Sequence, residues 1–248
     1  MIQSLVFDKD GVILDLVETW FPVVEKLADY TLSRVPATRR DSVTRTGLLA
    51  AVGVDEASGH IDPMGLFAMG SLTEIRAAWQ SLMPPGSIDL QTDKSYHLEV
   101  RRLVNDYAHN NTVPKGDVVT PLKALADFGF QLAILTNDSE ESARRSLGEL
   151  GIESLFHPII GADSGHGGKP EPHGLLHCLS VHGTDPSRAL MIGDTGADFG
   201  AAVNARVADF ICIADDPQHR PHEDVKTENV IARLTDLPDL LVRLGVMR

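Results

Sequence analysis

Cysteine is nearly absent: only Cys178 and Cys212 occur in 248 residues, and neither belongs to a Cys-x-x-Cys pair. A disulfide framework is thereby excluded, and a reducing cytoplasmic compartment is the expectation. Aromatic residues are few, at 5%, so the core must come mainly from Leu, Val, Ile and Ala. No apolar run approaches the roughly 20 residues that span a bilayer. No cationic stretch leads an apolar one near Met1, so no secretory leader is expected either. Positive charge is scarce as well: 22 Lys and Arg stand against 35 Asp and Glu, a net charge of −13. That balance argues against nucleic acid and anionic membranes as partners. It also repels any small anion, so a phosphate site here needs local positive charge from a metal, a placed Lys or Arg, or helix N-termini.

What is present is an ordinary globular composition, 43% hydrophobic and 23% charged. The length suits one domain with an insertion, or two small domains. Residues 2–7 read as a short strand that runs straight into Asp8-Lys9-Asp10-Gly11. From about 15 to 33, Leu16, Trp20, Val23, Val24, Leu27, Tyr30 and Thr31 recur at helical spacing. Residues 40–112 carry helical pieces at 64–70, 72–82 and 94–108, broken by prolines, and no convincing strand. After Pro114-Lys115-Gly116 the pattern changes. Strands at 130–135, 157–161, 189–192 and 208–213 alternate with helices at 118–128, 139–150, 171–182 and 197–204. Alternation with short links implies a parallel sheet covered on both faces. The expected architecture is therefore an α/β core, residues 1–15 and 113–248, interrupted by an all-α block, residues 16–112. The polar stretch 215–228 reads as an exposed loop.

Ligands of open parallel sheets bind at the carboxyl ends of the strands. The polar residues there are Asp8 and Asp10, Thr136 and Asn137, and Asp194 with Asp198, while Lys169 follows a Gly-rich loop. Asp8 and Asp10 lie two apart, so an extended segment presents both on one face and turns Lys9 away. One carboxylate can act as nucleophile and its neighbour as general acid, then base. Four carboxylates in one crevice demand a cation, and oxygen ligands are those Mg2+ prefers. Thr136 can donate to phosphate oxygens, and Lys169 supplies a point charge. Each motif alone has a plainer reading as a strand-end turn, a helix cap or a helix start. Their joint occurrence, in this order, does not.

These motifs, Phe7-Asp8-Lys9-Asp10-Gly11, Leu135-Thr136-Asn137, Lys169-Pro170-Glu171-Pro172 and Gly193-Asp194-Thr195-Gly196-Ala197-Asp198, resemble those of the haloacid-dehalogenase-like hydrolase superfamily. The resemblance covers roughly 1–15 and 113–248 and implies a Rossmann-like three-layer core with an inserted helical cap, 16–112. It implies Asp8 as nucleophile, Asp10 as general acid/base, and Thr136, Asn137, Gly11 and Lys169 around the phosphate. Mg2+ would be held by Asp8, the Asp10 carbonyl and Asp194, with Asp198 nearby. Arg45-Thr46-Gly47-Leu48 falls where the family's specificity loop is expected, which makes Arg45 a candidate substrate ligand. The implied activity is that of a cytoplasmic phosphatase acting on a small phosphorylated metabolite resembling phosphoglycolate, as a monomer or homodimer. Asp10 speaks against the carbon–halogen branch, which lacks it, and no cap lysine stands where a phosphonoacetaldehyde hydrolase needs one. Val12, where such phosphatases usually have Thr, keeps a β-phosphoglucomutase-like phosphomutase open, and a non-catalytic binding protein is the third possibility. His173 and His177 have zinc-ligand spacing but no acidic or cysteine partner at a telling interval, and read as ordinary histidines.

Overall fold

Four consecutive buried residues, Ser4–Phe7, form strand β1. The computed structural model describes residues 1–62, 64–215 and 225–247, with residues 105 and 107–110 in backbone only. The chain divides into two compact units, residues 1–15 with 113–248 and residues 16–112.

In the inserted unit, the apolar spacing noted above folds as α1 (Leu16–Ser33), burying Trp20, Val23, Val24, Leu27 and Thr31 on one face. Then follow α2 (Arg45–Ala50), β2 (Val54–Asp55), β3 (His60–Ile61), α3 (Leu66–Met69), α4 (Leu72–Leu82) and α5 (Lys94–Asn110). Ser71 and Glu74 close a reciprocal capping box at the start of α4. This unit has its own core around Leu27, Leu48, Trp79, Leu90 and Tyr96. Two of its polar aromatics are satisfied there: Trp79 Nε1 donates to the Leu48 carbonyl at 2.8 Å, and the Tyr96 hydroxyl meets Thr31 at 2.7 Å. The expectation of a purely helical block needs correction, because β2 and β3 pair as a short antiparallel ladder. Strands of two residues are too short to show any alternation.

The remaining elements are α6 (Val119–Phe128), β4 (Gln131–Leu135), α7 (Glu140–Glu149), β5 (Phe156–Ile160), α8 (His173–His182), β6 (Ala189–Gly193), α9 (Gly196–Ala205), β7 (Asp209–Ile213), β8 (Val230–Ile231) and α10 (Leu237–Arg243). Six parallel strands line up in the order β5-β4-β1-β6-β7-β8. One face packs Leu5, Phe7, Ile134 and Ile192 against Leu122, Leu125, Leu147 and Leu241. The other packs Val6, Ala133 and Met191 against Leu175, Cys178, Leu179, Ala201 and Ala205. The result is a three-layer α/β, Rossmann-like core. From β1 the strand order runs outward through β4 and β5, then returns to the opposite side through β6, β7 and β8. The crevice at the carboxyl end of β1 is therefore the topological switch point, where such sheets bind ligands.

The stretch expected as an exposed loop lies largely outside the described residues, His219 and His222 included. Its far end differs from expectation: Val225 and Thr227 are buried, and the Thr227 hydroxyl donates to the Phe210 carbonyl at 2.8 Å.

Candidate active site

Asp8 follows β1 at its carboxyl end and is almost fully buried. Its backbone N–H donates to the Ile192 carbonyl at 2.9 Å, which continues the β1–β6 ladder by one residue. Burial, then the neighbouring Asp198, push its carboxyl up to about 7, and Lys169 pulls the other way. Asp194, which follows β6, is raised well above the usual carboxylate range by burial, then by Asp198 and Asp8. Lys169 is buried too. Burial alone would favour its neutral form, but Asp198 and Asp8 outweigh it and hold it charged. Its Nζ lies 2.7 Å from Asp8 Oδ1 and 2.6 Å from Asp198 Oδ1.

Asp198 sits in the first turn of α9. It accepts from the Thr195 N–H at 3.0 Å and the Thr195 hydroxyl at 2.6 Å, while the Thr195 hydroxyl oxygen caps the Asp198 N–H. With Lys169 on its other oxygen, Asp198 anchors the lysine and the helix. Carboxylate oxygens of Asp8, Asp194 and Asp198 all lie within 4.8 Å of one another. Asp194 Oδ1 is buried without a hydrogen-bond partner. An orphaned anionic oxygen beside a second carboxylate, both pushed toward protonation, is what a hard divalent cation would relieve. The residues fit Mg2+.

Gly11 explains itself sterically. Its φ is +76°, and a Cβ there would fall 1.9 Å from Asp194 Oδ2, so no side chain fits without moving that carboxylate. Thr136, past β4, is buried and accepts the Asp138 N–H on its hydroxyl oxygen at 3.1 Å, which leaves the hydroxyl proton to be donated. Asn137 was expected against the phosphate. Its side chain clasps the lysine's backbone, accepting from the Lys169 N–H at 2.8 Å and donating to the Lys169 carbonyl at 3.1 Å. It positions the Lys169 loop.

Arg45, in the inserted unit, is engaged by Glu56 through Nε at 2.6 Å and through a second guanidinium nitrogen, with Glu25 at 3.5 Å and Asp29 at 3.6 Å. His173 and His177 do not form a metal group among the described residues; His177 stacks on His166 with centroids 3.7 Å apart.

The largest departure from expectation is Lys9. The alternation that would turn it away holds only for an extended chain, and the chain bends after Phe7. Lys9 is wholly buried, and its Nζ lies 2.9 Å from Asp10 Oδ1 and 3.0 Å from Asp138 Oδ2. Burial would lower its pKa, but Asp10 and Asp138 raise it further. Asp138 and Lys115 escaped the sequence reading. Lys115, ion-paired to Asp215 at 2.9 Å, adds positive potential that lowers the Asp194 carboxyl. The only signal for either was its position, three residues past an expected strand end for Asp138 and two past the expected boundary for Lys115.

A doubly wound α/β fold with a carboxylate–lysine centre at its switch point defines the class of protein. The chain belongs to the haloacid dehalogenase-like hydrolase family, whose pattern it matches over residues 2–206. A phosphoglycolate phosphatase from Vibrio vulnificus (strain YJ016) is 28% identical over 213 residues, 84% of this chain and 82% of that one. Another, from Aquifex aeolicus, is 36% identical over 94 residues, 38% of this chain and 44% of the relative, so that match spans less than half its length. The fold is shared with β-phosphoglucomutase from Clostridium difficile, at 17% identity and a TM-score of 0.65, over 99% of this chain and 97% of that one. No helix among the described residues is long and apolar enough to cross a membrane.

Proposed function

We propose that the chain is a Mg2+-dependent phosphatase that hydrolyses a small phosphorylated metabolite, of the phosphoglycolate kind named for its relatives, through a phosphorylated Asp8. One observation carries this reading. A single buried ammonium, Lys169 Nζ, contacts Asp8 at 2.7 Å and Asp198 at 2.6 Å beside the unpartnered oxygen of Asp194. A nucleophilic carboxylate, a fixed positive charge and an open anionic ligand thus meet at one point, as phosphoryl transfer requires.

Lys169 offsets the repulsion between the Asp8 carboxylate and an incoming phosphate dianion. Asp8 attacks phosphorus, the bond to the ester oxygen breaks, and Asp10 gives its proton to that oxygen. Asp10, now a base, takes a proton from the water that cleaves the acyl phosphate, releasing inorganic phosphate and restoring Asp8. The Thr136 hydroxyl donates to a phosphate oxygen throughout. Asp8, Asp194 and the Asp10 carbonyl would hold Mg2+, which neutralises the cluster and polarises the phosphoryl group. Residues 16–112 serve as the cap that selects the substrate. The enzyme works in the cytoplasm, where its two buried cysteines stay reduced.

A phosphomutase is the second reading, favoured by the buried Val12 after Gly11. Phosphate release across phosphoglycolate, sugar phosphates and nucleotides, with and without Mg2+ and alongside Asp8→Asn, tests both. Metal-dependent release that vanishes in Asp8→Asn supports the phosphatase. Isomerisation of β-glucose 1-phosphate, dependent on glucose 1,6-bisphosphate and yielding little free phosphate, supports the mutase. No turnover of any substrate would sink both.

A further inference from the structure

We propose that Lys9 is a positioning residue for the acid/base step, its enclosed ammonium tying the Asp10 carboxyl to the anchored carboxyl of Asp138. The inference rests on Asp10 serving as the general acid of a phosphate ester hydrolase. The site contains the same arrangement twice. On the nucleophile side, Lys169 joins a working carboxylate, Asp8, to an anchored one, Asp198, which the Thr195 N–H and hydroxyl hold at 3.0 and 2.6 Å. On the acid/base side, Lys9 joins Asp10 to Asp138, whose Oδ1 accepts the Ser139 N–H at 2.7 Å and whose carbonyl accepts the Ala162 N–H at 2.9 Å.

Position argues against a merely structural ion pair. A lysine enclosed without any exposure is uncommon, and an apolar side chain of similar volume would fill the place at no desolvation cost. The Lys9 side chain is 0% exposed, whereas those of Asp10 and Asp138 retain 17% and 14%. The charge is thus buried beneath two carboxylates that remain open at its rim. Asp138 is also bound to Thr136, its N–H reaching the Thr136 hydroxyl at 3.1 Å. Lys9 therefore couples the loop carrying the acid to the loop carrying the phosphate-binding hydroxyl.

The test uses the full chain with Mg2+ and two esters: an alkyl phosphate turned over by the wild type, whose leaving oxygen needs a proton, and p-nitrophenyl phosphate, whose leaving group scarcely does. In Lys9→Met, kcat/KM, which reports formation of the aspartyl-phosphate and not its later hydrolysis by water, falls about ten- to a hundredfold for the alkyl ester and far less for p-nitrophenyl phosphate. Adding Lys9→Met to Asp10→Asn costs nothing further, because the lysine acts through that carboxyl. Lys9→Met strands the charge of Asp138, so Lys9→Met/Asp138→Asn is measured beside it and shows the same split. Asp138→Asn alone, which keeps the ammonium and loosens its anchor, shows it to a smaller degree. Equal loss on both esters, a loss that multiplies with that of Asp10→Asn, or unchanged kinetics in Asp138→Asn would overturn the role of Lys9 while leaving the phosphatase reading intact. A wild type that releases phosphate from no ester overturns that reading, and the role of Lys9 with it.

Discussion

Gly11 is the residue on which the metal assignment can be tried most directly. Its positive φ and the 1.9 Å approach of a notional Cβ to Asp194 Oδ2 mean that Gly11→Ala must displace that carboxylate. The left-handed backbone adds a penalty of about 1–2 kcal/mol. We predict that Gly11→Ala raises the Mg2+ concentration for half-maximal activity by at least about tenfold, as losing one carboxylate ligand would. A Mg2+ titration of phosphate release measures this, and an unchanged requirement would remove Asp194 from the ligand set. Lys169 offers a second test. Lys169→Met leaves two buried carboxylates, Asp8 and Asp198, without their shared cation. Stranding a buried charge costs about 3–5 kcal/mol, and guanidinium unfolding without metal should show a loss of that order. Asp8 and Asp194 were legible in the sequence because each follows an apolar strand, and Lys169 because it follows a Gly-rich loop before a helix and carries chemistry that suits them. Lys9 was not, because parity along a strand says nothing once the chain bends. Sequence places Asn137 beside Thr136 but does not say that its amide reaches across to the Lys169 backbone.

Helix α9 and helix α4 begin with the same device and should differ in consequence. Thr195 and Asp198 form the capping box of α9, Ser71 and Glu74 that of α4. Thr195→Ala and Ser71→Ala are each expected to cost about 1 kcal/mol in denaturant unfolding, the usual worth of an N-cap hydroxyl. Only Thr195→Ala should also lower kcat, because Asp198 holds Lys169 against Asp8 through its other oxygen. Equal activity in the two variants would show that α9 needs no cap to keep the lysine in place. At this scale the long elements were readable. Helices α1 and α4, and strands β4 and β6, lie within about two residues of where apolar periodicity puts them, since a buried face imposes its spacing on the sequence. The ladder of β2 and β3, the strand β8 and the helix α10 went unread. Two-residue strands have no period, and α10 is only seven residues long with a proline in its first turn.

Across the whole molecule, parallel pairing was implied by alternating strands and helices, but not the order of the strands. Nothing in the local pattern says that the chain crosses back past β1 to lay down β6, and that crossing creates the crevice. The crowding of carboxylates there makes stability depend jointly on pH and metal. Burial and Asp198 push Asp8 up to about 7, from 3.8 in the unfolded chain. Without metal the native state therefore keeps a proton that the unfolded chain has released, a contribution fully present below pH 4 and lost as pH rises through about 7. A divalent cation needs the deprotonated carboxylates, so its stabilisation grows over the same interval. His182 acts in the opposite sense at the other end of the sheet, where its Nδ1 meets the Ser4 hydroxyl at 2.5 Å. Burial lowers its pKa, so its contribution is present above about 6.5 and is lost as pH falls below that value. A bare melting curve against pH would mix the two. The difference between melting temperatures with and without Mg2+ isolates the first, because His182 titrates alike in both. We predict that this difference is small at pH 5, rises through pH 7 and levels off by pH 8 in scanning calorimetry, and that it collapses in Asp194→Asn. A difference independent of pH would mean that the cation binds elsewhere than among Asp8 and Asp194.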